Sequence, residues 1–135
     1  MSKRLAAALL VLCACATRAR GADDYTAFVY AGCSQARYDA GTQYAADVDT
    51  ALSALTNSAG YTAYANYTSP SAASGTGLVG VYQCRSDLPA AICGGCVRSA
   101  ATKLASLCNS AAGAGVQLRA CFVRYGNDSI LGRQD

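Results

Sequence analysis

Six cysteines, Cys33, Cys84, Cys93, Cys96, Cys108 and Cys121, restrict what this chain can fold into more than any other feature. Their meaning depends on what precedes them. Lys3 and Arg4 introduce an apolar run over residues 5–16. That run is shorter than the roughly 20 helical residues needed to span a bilayer and has the pattern of a secretory signal peptide. Small residues at Ala19 and Gly21 suit a cut after residue 21, and Ala14 and Ala16 offer an earlier one. Residues 1–21 are read as a cleaved signal, which removes Cys13 and Cys15, and residues 22–135 as a single domain. An even number of cysteines in an exported domain implies disulfides. No second apolar stretch offers a membrane anchor, so the expected destination is extracellular.

The same cut changes the charge. The whole chain carries a formal +3, but four of its 11 basic residues lie in the first 20 positions. Seven basic residues then face eight aspartates, and the excess of clustered cations that nucleic-acid binding requires is gone. The chain contains no His and no Glu. That excludes an imidazole base, a paired glutamate and an activated serine nucleophile. No cofactor is implied.

Hydrophobic patterning gives six elements. Residues 25–33 are aromatic and β-branched and predict a strand. Tyr44, Val48, Leu52 and Leu55 fall at helical spacing over 42–58, with Thr42 as N-cap and Gly60 just past the end. Asp47 and Asp49 on that helix point to different faces and are expected on its solvated side. Residues 61–68 predict a strand, 69–77 a loop of small and turn-forming residues, and 78–84 a strand with Gly80 as a bulge or close approach. Ser86 or Asp87 is the expected cap of a second helix, with Pro89 in its first turn and an apolar stripe from Ile92 to Cys108. After a turn over 109–115, residues 116–125 predict one closing central strand. The order β, α, β, β, α, β describes an antiparallel sheet carrying two helices, in the α+β class. There is no internal repeat.

Helix geometry narrows the cysteine pairings. Cys96 and Cys108 are twelve positions apart. On one helix that is about 18 Å, whereas a disulfide needs Cα atoms within about 7 Å. Cys93 with Cys108 fails for the same reason, so Cys108 has to reach another element, for which the end of the first strand at Cys33 is suited. The short connection between Cys84 and Cys93 can close, leaving Cys96 for Cys121. The segment Cys93-Gly94-Gly95-Cys96 also has the spacing of a thiol oxidoreductase pair at a helix start. Four further cysteines give both members structural partners, and the βαβ context of such enzymes is missing. One CxxC without histidine supplies only half a zinc shell, so no metal is expected.

The segment CRSDLPAAICGGC (84–96), with Thr26-Ala27-Phe28-Val29 and Cys33 upstream and Cys108, Gly115-Val116-Gln117-Leu118, Cys121-Phe122 and Tyr125 downstream, resembles the ginkbilobin-like salt-stress and antifungal domain of land plants. The resemblance covers essentially all of residues 22–135. It implies a secreted, non-enzymatic apoplastic domain with a five-stranded antiparallel sheet, two helices and the pairing Cys33–Cys108, Cys84–Cys93 and Cys96–Cys121. It also implies antifungal or lectin-like activity, with a glycan or fungal cell-surface component as partner. The rival reading is an apoplastic protein-interaction module without sugar affinity, binding an extracellular protein through loop surfaces such as residues 69–77.

In antifungal members the resemblance places a mannose site on an Asn after the first mature cysteine, an Arg six positions before the last and a Glu five positions after it. This chain has Ser34, Gly115 and Gly126 there, so that ligand set is not carried over. Arg119 reads as a surface strand residue and Asn127-Asp128 as a turn. Tyr38, Tyr44, Tyr61, Tyr64 and Tyr67 offer aromatic surface, but tyrosines on half-buried strands and helix faces usually pack. Asn66-Tyr67-Thr68 and Asn127-Asp128-Ser129 are candidate glycosylation sequons.

Overall fold

The computed structural model describes residues 25–71 and 77–127. The expected signal segment, residues 72–76 of the expected loop, and Asp128 and Ser129 of the second sequon lie outside the described residues. Seven elements follow in order: β1 (Phe28–Cys33), α1 (Gln43–Ser58), β2 (Tyr64–Thr68), β3 (Val79–Cys84), α2 (Ala90–Leu107), β4 (Ala114–Leu118) and β5 (Cys121–Gly126). The strands form one sheet in the order β1-β4-β5-β3-β2, with every neighbouring pair antiparallel. The α+β class, the five strands, the two helices and the three disulfides are those the resemblance implies, whereas patterning alone gave four strands.

Period-two alternation turns one side of the sheet inward. Tyr82, Val116, Leu118 and Val123 are buried from the strands, and they meet Val48, Ala51 and Leu55 of α1 and Val97, Ala100 and Leu104 of α2. Gly80 is a close approach rather than a bulge. A Cβ there would lie 3.1 Å from Leu55 Cδ1, and the pairing of β3 with both neighbours runs without a register shift.

Each disulfide has one end on α2 or its C-cap. Cys93 joins Cys84 at the end of β3, Cys96 joins Cys121 at the start of β5, and the C-cap Cys108 joins Cys33 at the end of β1. One helix is thus fastened to three strands of the sheet it covers.

Four expectations need correction. The single closing strand is a hairpin: β4 and β5 are antiparallel neighbours joined at Arg119 and Ala120. The join contains no Gly, Pro, Asn or Asp, and its only trace is a phase break, because Ala120 and Cys121 are consecutive and both buried. Second, neither Ser86 nor Asp87 caps α2. Pro89 occupies the N-cap, its carbonyl accepting from the Ile92 and Cys93 amides, while the Asp87 carboxylate accepts from Arg85 at 2.8 Å. Third, Asp47 is only 5% exposed, whereas Asp49 is exposed. Asp47 lies on the same stripe as Val48, Ala51 and Leu55, and Gln43 Nε2 donates to its Oδ1 at 2.9 Å. Finally, β2 begins at Tyr64. Tyr61 sits in the preceding turn, 87% exposed.

Candidate recognition face

Both helices pack on the inward side, which leaves the other face of the sheet to solvent among the described residues. Alternation and register decide its occupants. Gly115 pairs with Gly32 on one side and Arg124 on the other, and Gln117 pairs with Tyr30 and Phe122. These residues line a groove of about 400 Å³ along β1, β4 and β5. The two paired glycines form its floor. Nothing lies within 4 Å of a Cβ placed on Gly32, so the floor opens to solvent there, while a Cβ on Gly115 would come within 3.1 Å of Arg124 Cβ. Tyr30, 62% exposed, forms the wall on the β1 side. Gln117 Nε2 donates to the Leu118 and Cys121 carbonyls at 2.6 and 3.3 Å, which holds the amide in place.

The groove combines an aromatic wall, an amide and a guanidinium, and no described strand carries an acidic residue. Such a set binds by stacking, hydrogen bonding and charge. It contains no nucleophile with an adjacent base. Alternation from Gly115 marks Gln117 in the sequence, but Phe122 and Arg124 have the opposite parity and reach this face only because the β4–β5 connection resets the phase, which a single strand over 116–125 conceals.

The three positions of the mannose site gather at one end of this face without the chemistry. Ser34 is spent on the backbone: its hydroxyl donates to Ala36 O at 2.8 Å and accepts from Gly113 N at 2.9 Å. Gly115 lies in the groove floor, and Gly126 is buried at the end of β5 opposite Val79. Arg119 is exposed in the β4–β5 connection rather than on a strand.

The five tyrosines do not converge. Tyr38 and Tyr44 pack with ring centroids 5.8 Å apart, and Tyr44 donates to Ala112 O. Tyr125 beside them donates to Ala111 O at 2.6 Å. Burial first, then the Asp47 carboxylate and Tyr38, raises the Tyr44 phenol above its ordinary pKa. Burial, then Tyr38 and Tyr44, raises that of Tyr125 strongly. Tyr64 and Asn66 lie exposed on the open face, Tyr67 is half-buried on the other side, and Asn127 is half-buried after β5.

The CxxC sulfurs are bonded to Cys84 and Cys121 rather than to each other, so the described fold holds no dithiol pair. Among the described residues no group of three His, Cys, Asp or Glu could hold a metal ion, and no helix is long and apolar enough to cross a membrane.

A family described as salt stress response/antifungal matches residues 32–128. Plasmodesmata-located protein 6 of Arabidopsis thaliana is 40% identical over 111 residues, covering 80% of this chain and 38% of that protein. The antifungal protein ginkbilobin-2 of Ginkgo biloba is 29% identical over 122 residues, covering 90% of this chain and 85% of that protein. The crystal structure of the tandem DUF26 ectodomain from the Arabidopsis thaliana cysteine-rich receptor-like protein PDLP8 matches with a TM-score of 0.73 and 31% identity, covering 82% of this chain and 53% of that one. The chain therefore spans well under half the length of the plasmodesmata-located relatives it matches.

Proposed function

This chain belongs to the salt stress response/antifungal family of cysteine-rich domains, and from that premise we propose that it is exported and acts in the apoplast as a non-catalytic recognition domain, binding an extracellular protein across the open face of its sheet. The observation that carries this reading is the groove itself. Its Tyr30, Phe122 and Arg124 are of the residue types that dominate binding energy at protein interfaces, where a side chain fills a pocket and excludes water. The positions that would hold mannose contribute only a hydroxyl tied to the backbone and two glycines.

A second reading, secreted defence by glycan binding, is favoured by the extent of the match to ginkbilobin-2, which takes in 85% of that protein. Both readings are tested with residues 22–135 produced by secretion. Cross-linking capture from apoplastic fluid should recover a protein partner, and capture should be lost in Tyr30→Ala and in Arg124→Ala while a mannoside array stays blank. Saturable binding to mannosides, unaffected by Tyr30→Ala, would overturn the protein-interface reading in favour of the second.

A further inference from the structure

We propose that Asn66 carries an N-linked glycan whose first sugar packs on Tyr64 and which caps the free edge of β2; the inference rests on export of the chain. Asn66-Tyr67-Thr68 is a sequon lying inside a strand, where side chains alternate between faces. Tyr64, Asn66 and Thr68 therefore share the open side of β2, and all three are exposed. Transfer requires the acceptor amide and the hydroxyl two residues later to be reachable together, and both are. Asn66 Nδ2 lies 3.5 Å from the Tyr64 hydroxyl, so a pyranose attached to that nitrogen meets an aromatic ring that is 52% exposed. Positions two apart on a strand are separated by about 6.6 Å, close to the span of one sugar ring.

The sheet edge supplies an independent reason. Among the described residues β2 pairs only with β3, so its other side offers unpaired backbone groups. Three of the five residues of Tyr-Ala-Asn-Tyr-Thr favour strands, the segment holds neither charge nor proline, and its pairing shows no bulge. Such an edge invites pairing with a second chain unless something covers it. The opposite edge, β1, has a register irregularity between Phe28 and Tyr30 and a disulfide at its end. β2 has neither, and a bulky hydrated glycan at its centre would do the same work. Asn127 is the weaker acceptor, being half-buried and already engaged with neighbouring groups.

The donor is an oligosaccharide linked through pyrophosphate to a polyprenyl lipid in the secretory pathway. The Asn66 amide nitrogen forms a bond to C1 of the first sugar. The C1–O bond to pyrophosphate breaks, the lipid pyrophosphate leaves with the electron pair, and the nitrogen gives up one proton.

The full chain, expressed in a plant secretory host, tests this by glycopeptide mass spectrometry before and after peptide N-glycosidase A. The peptide containing Asn66 should carry the glycan, and Asn66→Gln and Thr68→Ala should each abolish it; Thr68→Ala keeps the acceptor in place should the first variant fold poorly. Enzymatic removal of the glycan should lower Tm by about 4 °C, less than half as much in Tyr64→Ala, and should increase self-association. Exported, disulfide-bonded protein with an unmodified Asn66 would overturn the glycan while leaving export intact. An equal Tm drop in Tyr64→Ala would overturn the packing on the ring, and a chain retained in the cell without a glycan would overturn both export and the site.

Discussion

Removing the Cys33–Cys108 bridge as the double variant Cys33→Ala, Cys108→Ala should destabilise the domain chiefly through its unfolded state. The bridge closes 75 residues. Within that loop the Cys84–Cys93 bridge short-circuits nine positions, so the effective loop in the otherwise oxidised chain is about 66 residues. The loop-closure relation then assigns the bridge about 4.4 kcal/mol at 25 °C. Cys33 is exposed and loses little packing, whereas Cys108 is buried and its truncation adds up to about 1 kcal/mol. The total, about 5 kcal/mol, is comparable with the whole stability of a small domain. In the native state β1 should stay docked, because its pairing with β4 runs from Phe28 to Cys33 independently of the sulfurs. Urea unfolding should thus show a loss of about 5 kcal/mol with a larger m-value, as the unfolded chain expands. Hydrogen exchange should leave β1 amides protected. A loss below about 2 kcal/mol, or one with deprotected β1, would refute the assignment of the effect to chain entropy.

Three further outcomes follow from the packing. Tyr82 is fully buried, its hydroxyl donating to Thr62 O at 2.8 Å and lying 2.9 Å from Thr62 Oγ1, so Tyr82→Phe should cost about 1 kcal/mol in urea unfolding. The phenols of Tyr44 and Tyr125 hold their protons more tightly in the folded protein than in the unfolded chain, so stability should be complete below about pH 10 and fall above it; Tyr125→Phe should flatten that alkaline decline, as followed by urea unfolding across the alkaline range. Installing the mannose-site residues as Ser34→Asn, Gly115→Arg and Gly126→Glu together should not confer mannoside binding measurable by calorimetry, since the Cβ at position 115 has to displace Arg124 and residue 126 is buried.

The helices and the covalent frame were legible because they follow from local chemistry. Thr42 accepts from Ala45 N as an N-cap should, and the apolar spacing around Val48 and Leu55 repeats with the helical period. The length of α2 forbids bonds between its own distant cysteines, which sends Cys108 to a strand. The β4–β5 hairpin was not legible, because its connection uses residues common in strands and the backbone reversal leaves only two adjacent inward positions. Nor was Asp47: its carboxylate reads as solvated, yet it shares the buried stripe of Val48, Ala51 and Leu55.

Residue order alone, through helix length and chain reach, is enough to limit which sulfurs can meet and where regular elements begin, since these depend on distances along the backbone. Which face of the sheet is covered, where Gly32 and Gly115 come together, and which side chains surround them depend on contacts between segments far apart in the chain. The recognition groove and the exposed β2 edge exist only once five strands have paired in the order β1-β4-β5-β3-β2, with both helices on one side.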